Sequence, residues 1–236
     1  MSSPRGPDPE DARAFSDKAL PVLREAVADL SWLLGRGYAD VAATELVGNR
    51  FQLTARQRQA VRRCAMPDAV AAERRRRRLE VTEVDGPVAI DGFNVLVTLE
   101  RALGGGPVFV AADGAWRDIA GMHGTWRRAS HTDEVLRGIG AALAGREVTW
   151  VLDRPVSNSG RLAGRLRELA EEAGWSWTVT LEDRADAALK AFDGAVATSD
   201  GGILDRCGAW VSLEPVVTAG REVWVVGLGA TGSAGV

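Results

Sequence analysis

From residue 88 onward, short apolar runs alternate with amphipathic stretches, and three of the runs end on an aspartate: 88–90 on Asp91, 148–152 on Asp153 and 195–199 on Asp200. Short apolar runs of this kind mark strands buried on both faces, and helices between them make crossovers of one hand. The pattern therefore predicts an α/β domain with a doubly wound, mainly parallel sheet. Strands are expected at 88–90, 147–152, 175–181, 195–198 and 209–213, with further strands at 108–111, as an edge strand, and at 223–226. Helices are expected at 133–143, 160–173 (Leu162, Leu166 and Leu169 inward) and 185–192, while 95–103 fits a helix or a second strand.

The residues in front follow a different period. Leu20, Leu23, Val27, Leu30 and Leu34 recur at steps of three and four, one face of an amphipathic helix, which Gly35 and Gly37 end. A second helix covers 39–47, Thr54 caps a third that runs to Cys64, and Asp68 caps a fourth that carries Arg74, Arg75, Arg76, Arg77 and Arg78. The expected layout is a disordered tail at 1–14, a basic all-helical domain at 15–84, the α/β domain at 85–214 and a C-terminal extension at 215–236, loose over its last nine residues.

Charge divides along the same line. The net charge is -3, but residues 1–84 hold 15 Lys and Arg against 12 Asp and Glu, and the remainder holds 14 against 20. Ten arginines between Arg50 and Arg78 face only Asp68 and Glu73, a footprint for a polyanion such as RNA, with Arg74 to Arg78 as the grip. A solvated helix whose arginine stems cover apolar surface explains the same run. No apolar run is long enough to cross a membrane and no signal peptide opens the chain, so a cytoplasmic protein without a membrane partner is expected. Homo-oligomers are compatible with this reading. Cys64 and Cys207 lack ligand-spaced companions and read as buried small hydrophobes.

In an open parallel sheet the carboxyl ends of the strands share one edge, where ligands bind at the reversal of strand order. Asp91, Asp153 and Asp200 should meet there, joined by Asp186 at the start of a helix, with Asp183 as its near substitute. Each alone is equally a cap or turn residue. Together, four acids repel one another unless a divalent cation neutralises them, and hard oxygen ligands favour Mg²⁺ or Mn²⁺. Such a metal suits phosphodiester hydrolysis. Gly104 to Gly106 lack the helix start of a dinucleotide site, and no P-loop occurs.

Two accessory segments carry double readings. Arg117, Asp118, His123, Arg127 and Arg128 in the insertion 104–131 form either a phosphate-contacting lid or plain structure, the structural role being favoured for His123 and His131. The loop 155–161 after Asp153 either presents helix amides and Arg161 to a phosphate or is capped by Ser157 or Ser159. Trp116 or Trp126 can stack on a base, whereas Trp150, Trp175 and Trp177 read as core.

Asp91-Gly92-Phe93-Asn94 resembles the D-G-x-N opening of the NYN ribonuclease group of the PIN superfamily, Ala185-Asp186-Ala187-Ala188-Leu189 its A-D helix opening and Thr198-Ser199-Asp200 its T-S-D strand end. Asp153 matches the aspartate after a middle strand, and the likeness covers about 86–214. It implies that Asp91, Asp153, Asp186 and Asp200 hold Mg²⁺ or Mn²⁺, that Asn94 and Ser199 orient water or phosphate, and that the protein is a metal-dependent nuclease acting on RNA. The displaced Asp205, where the group has S-D-x-D, keeps a non-catalytic RNA-binding or regulatory protein as the alternative. The two-part layout, with Asp29-Leu30-Ser31-Trp32 and Arg56-Gln57-Arg58, also resembles the prokaryotic family called domain of unknown function 434.

Overall fold

A computed structural model describes residues 6–119 and 125–229. The chain opens with α1 (Asp11–Ala14), α2 (Leu20–Gly35), α3 (Asp40–Arg50), α4 (Ala55–Cys64) and α5 (Asp68–Arg76). Thr54 caps α4 in a full capping box with Gln57. Asp68 is the first residue of α5 and Pro67 its cap, so Asp68 serves the helix through its charge in the first turn.

The α/β part follows as β1 (Arg78–Leu79), a short 3-10 turn (Val81–Glu83), β2 (Val88–Asp91), α6 (Gly92–Leu103), β3 (Val108–Val110), β4 (Trp116–Arg117), α7 (Thr132–Ala142), β5 (Val148–Asp153), α8 (Ser159–Ala173), β6 (Trp177–Glu182), α9 (Ala185–Lys190), β7 (Ala195–Ala197), α10 (Gly201–Leu204), β8 (Ala209–Val211), α11 (Glu214–Val217) and β9 (Val225–Gly227). Six strands form a parallel sheet in the order β1-β8-β7-β2-β5-β6. After β2 the chain winds outward through β5 and β6, then returns to β7 and β8 on the other side. The reversal falls between β2 and β7. Both faces are covered: α6, α7 and α8 pack on Val88, Ile90, Trp150 and Leu152, while α9 and α10 pack on Ala89, Val151, Val196 and Trp210. The fold is α/β with an N-terminal helical region, and 95–103 is wholly helical within α6.

Four expectations are corrected. Val108–Val110 joins no edge of the main sheet; it lies between β4 and β9 in a separate three-stranded sheet. That small sheet completes the helical region's core, where Phe109, Ala111, Ile119, Val226 and Leu228 pack with Phe15, Leu23, Leu30, Val47 and Val61. Residues 6–14 are no loose tail, because fully buried Asp11 takes hydrogen bonds from Arg56 (2.8 Å) and Arg101 (2.6 Å). Neither Ser157 nor Ser159 caps α8; Asn158 stands at that position in the left-handed region (φ 69°). Of the expected loose tail at 228–236, Leu228 is buried in the helical region's core and its amide donates to the Val110 carbonyl (3.1 Å), while 230–236 lie outside the described residues.

Candidate active site at the sheet reversal

Parallel strands present their carboxyl ends together, and β2 and β7 do so at the reversal itself. Asp91 closes β2 on the face of Ala89, and Thr198 follows β7 on the same face. Thr198 Oγ1 donates to Asp91 Oδ2 (2.7 Å) and accepts from the Asp200 amide (3.0 Å). Asp200 Oδ1 in turn accepts from the amides of Gly202 (2.8 Å) and Ile203 (3.2 Å), capping α10. Gly92 permits the tight start of α6, since a Cβ there would lie 2.3 Å from Leu152 Cδ2.

Asp153 ends β5 beside β2, and Asp186 sits in the first turn of α9. These four aspartates line one cleft of 210 Å³ with Asn94, Phe93, Val97, Asp118 and Arg63. Burial, together with the charges of Asp200, Asp153 and Asp186, pushes the Asp91 carboxyl up to about 7, although the Thr198 hydrogen bond pulls the other way. Burial and then Asp186 also raise Asp153. Among the described residues no cation pairs with Asp91, Asp153 or Asp200, and Asp186 holds Lys190 loosely at 3.3 Å. No group of three or more His, Cys, Asp or Glu side chains among the described residues stands close enough to enclose a metal ion directly.

Asn94 and Ser199 reach the site but are turned on each other. Asn94 Oδ1 accepts from the Ser199 amide (2.8 Å) and hydroxyl (3.0 Å), pinning the β7–α10 loop to α6. They position the loop. Asp183 does not line this cleft; it pairs with Arg154 at 3.0 Å and lines the adjoining hollow with Asp153 and Asp186.

The arginine run departs furthest from its expectation as an RNA grip. Arg74 is buried and donates to Asp113 (2.9 Å), Asp205 (2.8 Å) and the Gly201 carbonyl (3.0 Å). Arg77 reaches the carbonyls of Leu204 and Cys207, Arg75 that of Ala112, and Arg78 lies over the Trp210 ring. Arg76 is exposed and held by Glu73 at 2.8 Å. Much of the run braces α5 against the α/β part, with Asp205 engaged in that brace. Arg161 lines a separate hollow with Trp126, Arg127 and Arg128, away from the four aspartates.

The insertion contributes a brace too. Buried Arg117 forms a bidentate pair with Asp113 (2.8 and 2.7 Å) and donates to the Ser199 carbonyl (3.0 Å), so it fixes the strand end that bears Asp200 instead of forming a lid. Asp118 lines the cleft and takes a hydrogen bond from Thr98 (3.1 Å). Arg128 pairs with Asp133 (2.7 Å) and His131 with Glu134 (3.1 Å); His123 lies outside the described residues. Trp126 is buried in the main core and unavailable for stacking, and Trp116 is half-buried; Trp150 is fully buried, whereas Trp175 and Trp177 pack partly exposed against the same core. Both cysteines are buried.

Sequence reasoning missed Arg63, Phe93, Val97 and the bracing role of Arg117. Arg63 stood among ten arginines with no mark of its own, Phe93 only as the variable place of the Asp91–Asn94 motif, and Arg117 with a lid and a structural role both open.

A doubly wound sheet with an acidic crevice at its reversal defines the class. The chain belongs to the family described as domain of unknown function DUF5616, whose model matches residues 82–215. The DUF434 family of proteins of unknown function matches 22–77, so the resemblance noted for the whole layout belongs to the helical region. An uncharacterized protein of Methanocaldococcus jannaschii is 28% identical over 185 residues, covering 77% of this chain and 88% of that protein. No solved structure matches the chain. No helix among the described residues is long and apolar enough to cross a membrane.

Proposed function

We propose that this protein is a metal-dependent phosphodiesterase of PIN/NYN type that cleaves RNA in the crevice at the end of β2 and β7. The single observation that carries the reading is Asp91: a nearly buried carboxyl whose neighbours are three further aspartates and no cation. A chain with 29 lysines and arginines that leaves this carboxyl without one is arranged to receive a cation from solution.

The donor set fits Mg²⁺ or Mn²⁺. Carboxylates are hard oxygen ligands, and Mg²⁺ keeps several waters and is held through one or two carboxylates and the substrate's phosphate, so a direct cage of three side chains is not required. Asp91, Asp153, Asp186 and Asp200 would hold it; when bound, the metal would lower the pKa of a water on it and offset charge on the phosphate. The side chains do the rest. Asp200 is oriented by the two α10 amides, Asp91 by Thr198, and the Asn94–Ser199 pair keeps both strand ends in register. Asp91 stays protonated in part near neutral pH without a cation, and a cation nearby would draw it to the ionised form.

A second reading, a non-catalytic RNA-binding or regulatory protein, is favoured by one observation: Asp205 is tied to Arg74 and cannot join the acids. Incubating a mixed pool of labelled RNAs with Mn²⁺ or Mg²⁺ decides between them. Cleavage that disappears with Asp91→Asn is expected; RNA bound but intact in every lane would select the second reading.

A further inference from the structure

Among the described residues the cleft that holds the aspartates has no closing wall on two sides. Toward α9 it shares Asp153 and Asp186 with a hollow of 450 Å³ that also includes Arg184 and Lys190. Toward the helical region it shares Arg63 and Asp118 with another of 450 Å³ lined by Asp40, Gln59, Arg62 and Ile119. The three make one furrow, from α9 past the acids onto α4.

Arg63 stands where the furrow passes between the two parts of the chain. It is exposed, its Nε donates to the Asp118 carbonyl (3.2 Å), and among the described residues it forms no ion pair, although five aspartates line the same cleft. Its neighbour Arg62 is locked on Asp40 at 2.8 and 2.5 Å, so the contrast is not one of chain position. A guanidinium anchored through one nitrogen keeps its other donors for an acceptor with two adjacent oxygens, and the two non-bridging oxygens of a phosphate match that fork. The physics also requires such a group: four carboxylates repel a polyanion that must approach them.

We infer that Arg63 binds a phosphate of single-stranded RNA next to the one placed at the aspartates, so that the helical region supplies part of the substrate site. This rests on the phosphodiesterase reading. The furrow continues on both sides of the acids, so the bound stretch is internal to the strand and not a chain end.

Fluorescence anisotropy with a labelled single-stranded oligoribonucleotide, in Mg²⁺ and over a range of NaCl, tests this in the Asp91→Asn background, where the RNA stays whole. Adding Arg63→Gln should weaken binding about tenfold and lower the slope of log Kd against log salt by about 0.7, the loss of one single-strand phosphate contact. Gln59→Glu leaves Arg63 in place and adds a negative charge to the same furrow; it should weaken binding at least about threefold, and covers the case in which Arg63→Gln impairs folding. Arg76→Gln, exposed on Glu73 and outside the furrow, should change neither affinity nor slope. If the background protein binds RNA and both furrow variants bind as tightly with the same slope, the role of Arg63 is overturned while the phosphodiesterase reading stands. If the background protein binds no RNA at any salt, both fall together.

Discussion

Asp113 and Asp91 are both buried, and the protein treats them in opposite ways. Asp113 is fully enclosed, and burial alone would raise its carboxyl; hydrogen bonds and charge from Arg117, with a further hydrogen bond from Arg74, reverse that and hold it below the usual range. Asp91 meets the same desolvation with only Thr198 to offset it, and the nearby charges are all of its own sign. The same residue type thus serves as a rivet in one place and as an unfilled demand for positive charge in another. What separates the two is a cationic partner, and among the described residues only Asp113 of the pair has one.

Removing the rivet should have the largest effect. Asp113→Ala leaves buried Arg117 without its anion and Arg74 with Asp205 alone, for an expected loss of about 3–5 kcal/mol in denaturant unfolding. A loss under about 1 kcal/mol would erase the contrast between the two aspartates. Filling the demand comes next: Mg²⁺ or Mn²⁺ at a hundredfold its Kd should stabilise the wild type by about 2.7 kcal/mol, with little gain in Asp91→Asn/Asp200→Asn. A melting curve indifferent to metal in both proteins would count against the site.

Without metal, Asp91→Asn should be the more stable protein above neutral pH. The folded pKa is raised from 3.8 to about 7, so the wild type loses stability as pH climbs through that window, while below about 4 the two should coincide. At about 1.4 kcal/mol per unit the ceiling is about 4 kcal/mol, and about 2 kcal/mol is expected at pH 8 once the altered Thr198 bond is allowed for. Chemical unfolding at pH 4, 6 and 8 reads it directly, and parallel curves would refute it. Gly92→Ala, which pushes a Cβ against Leu152, should cost about 1–2 kcal/mol and lower metal response with it. At the foot of the scale, Arg76→Ala should leave stability unchanged, since its pairing with Glu73 is in open solvent.

The main sheet was legible because buried parallel strands impose their own composition: apart from Thr149, 88–90, 148–152 and 195–197 are apolar, and the chain turns to charged residues only at their ends. The four aspartates were legible for the same reason, being carboxylates at or within three residues of those ends or at a helix opening. The small sheet was not. Val108–Val110 and Val225–Gly227 pair across more than a hundred residues, and neither shows whether its partner is the main sheet or each other. Arginines were least legible of all, because a long flexible side chain carries the same letter whether it ends in Asp113, in Asp40 or at an open cleft. Direction, which decides between brace and binding residue, is a property of the packed chain.

The small sheet also sets the order in which the molecule can be finished. Arg24 Nε donates to the Gly227 carbonyl (2.9 Å), and Val226 and Leu228 close the core of helices made some two hundred residues earlier. During synthesis the amino-terminal helices leave the ribosome first yet keep an uncovered apolar face until the last strand arrives. Closing so long a loop is slow relative to local helix formation, and an exposed face of this kind invites association meanwhile. A nascent chain stopped before residue 225 should therefore be sticky however well its main sheet has formed, and the arrival of β9 decides whether α2 to α4 ever become safe.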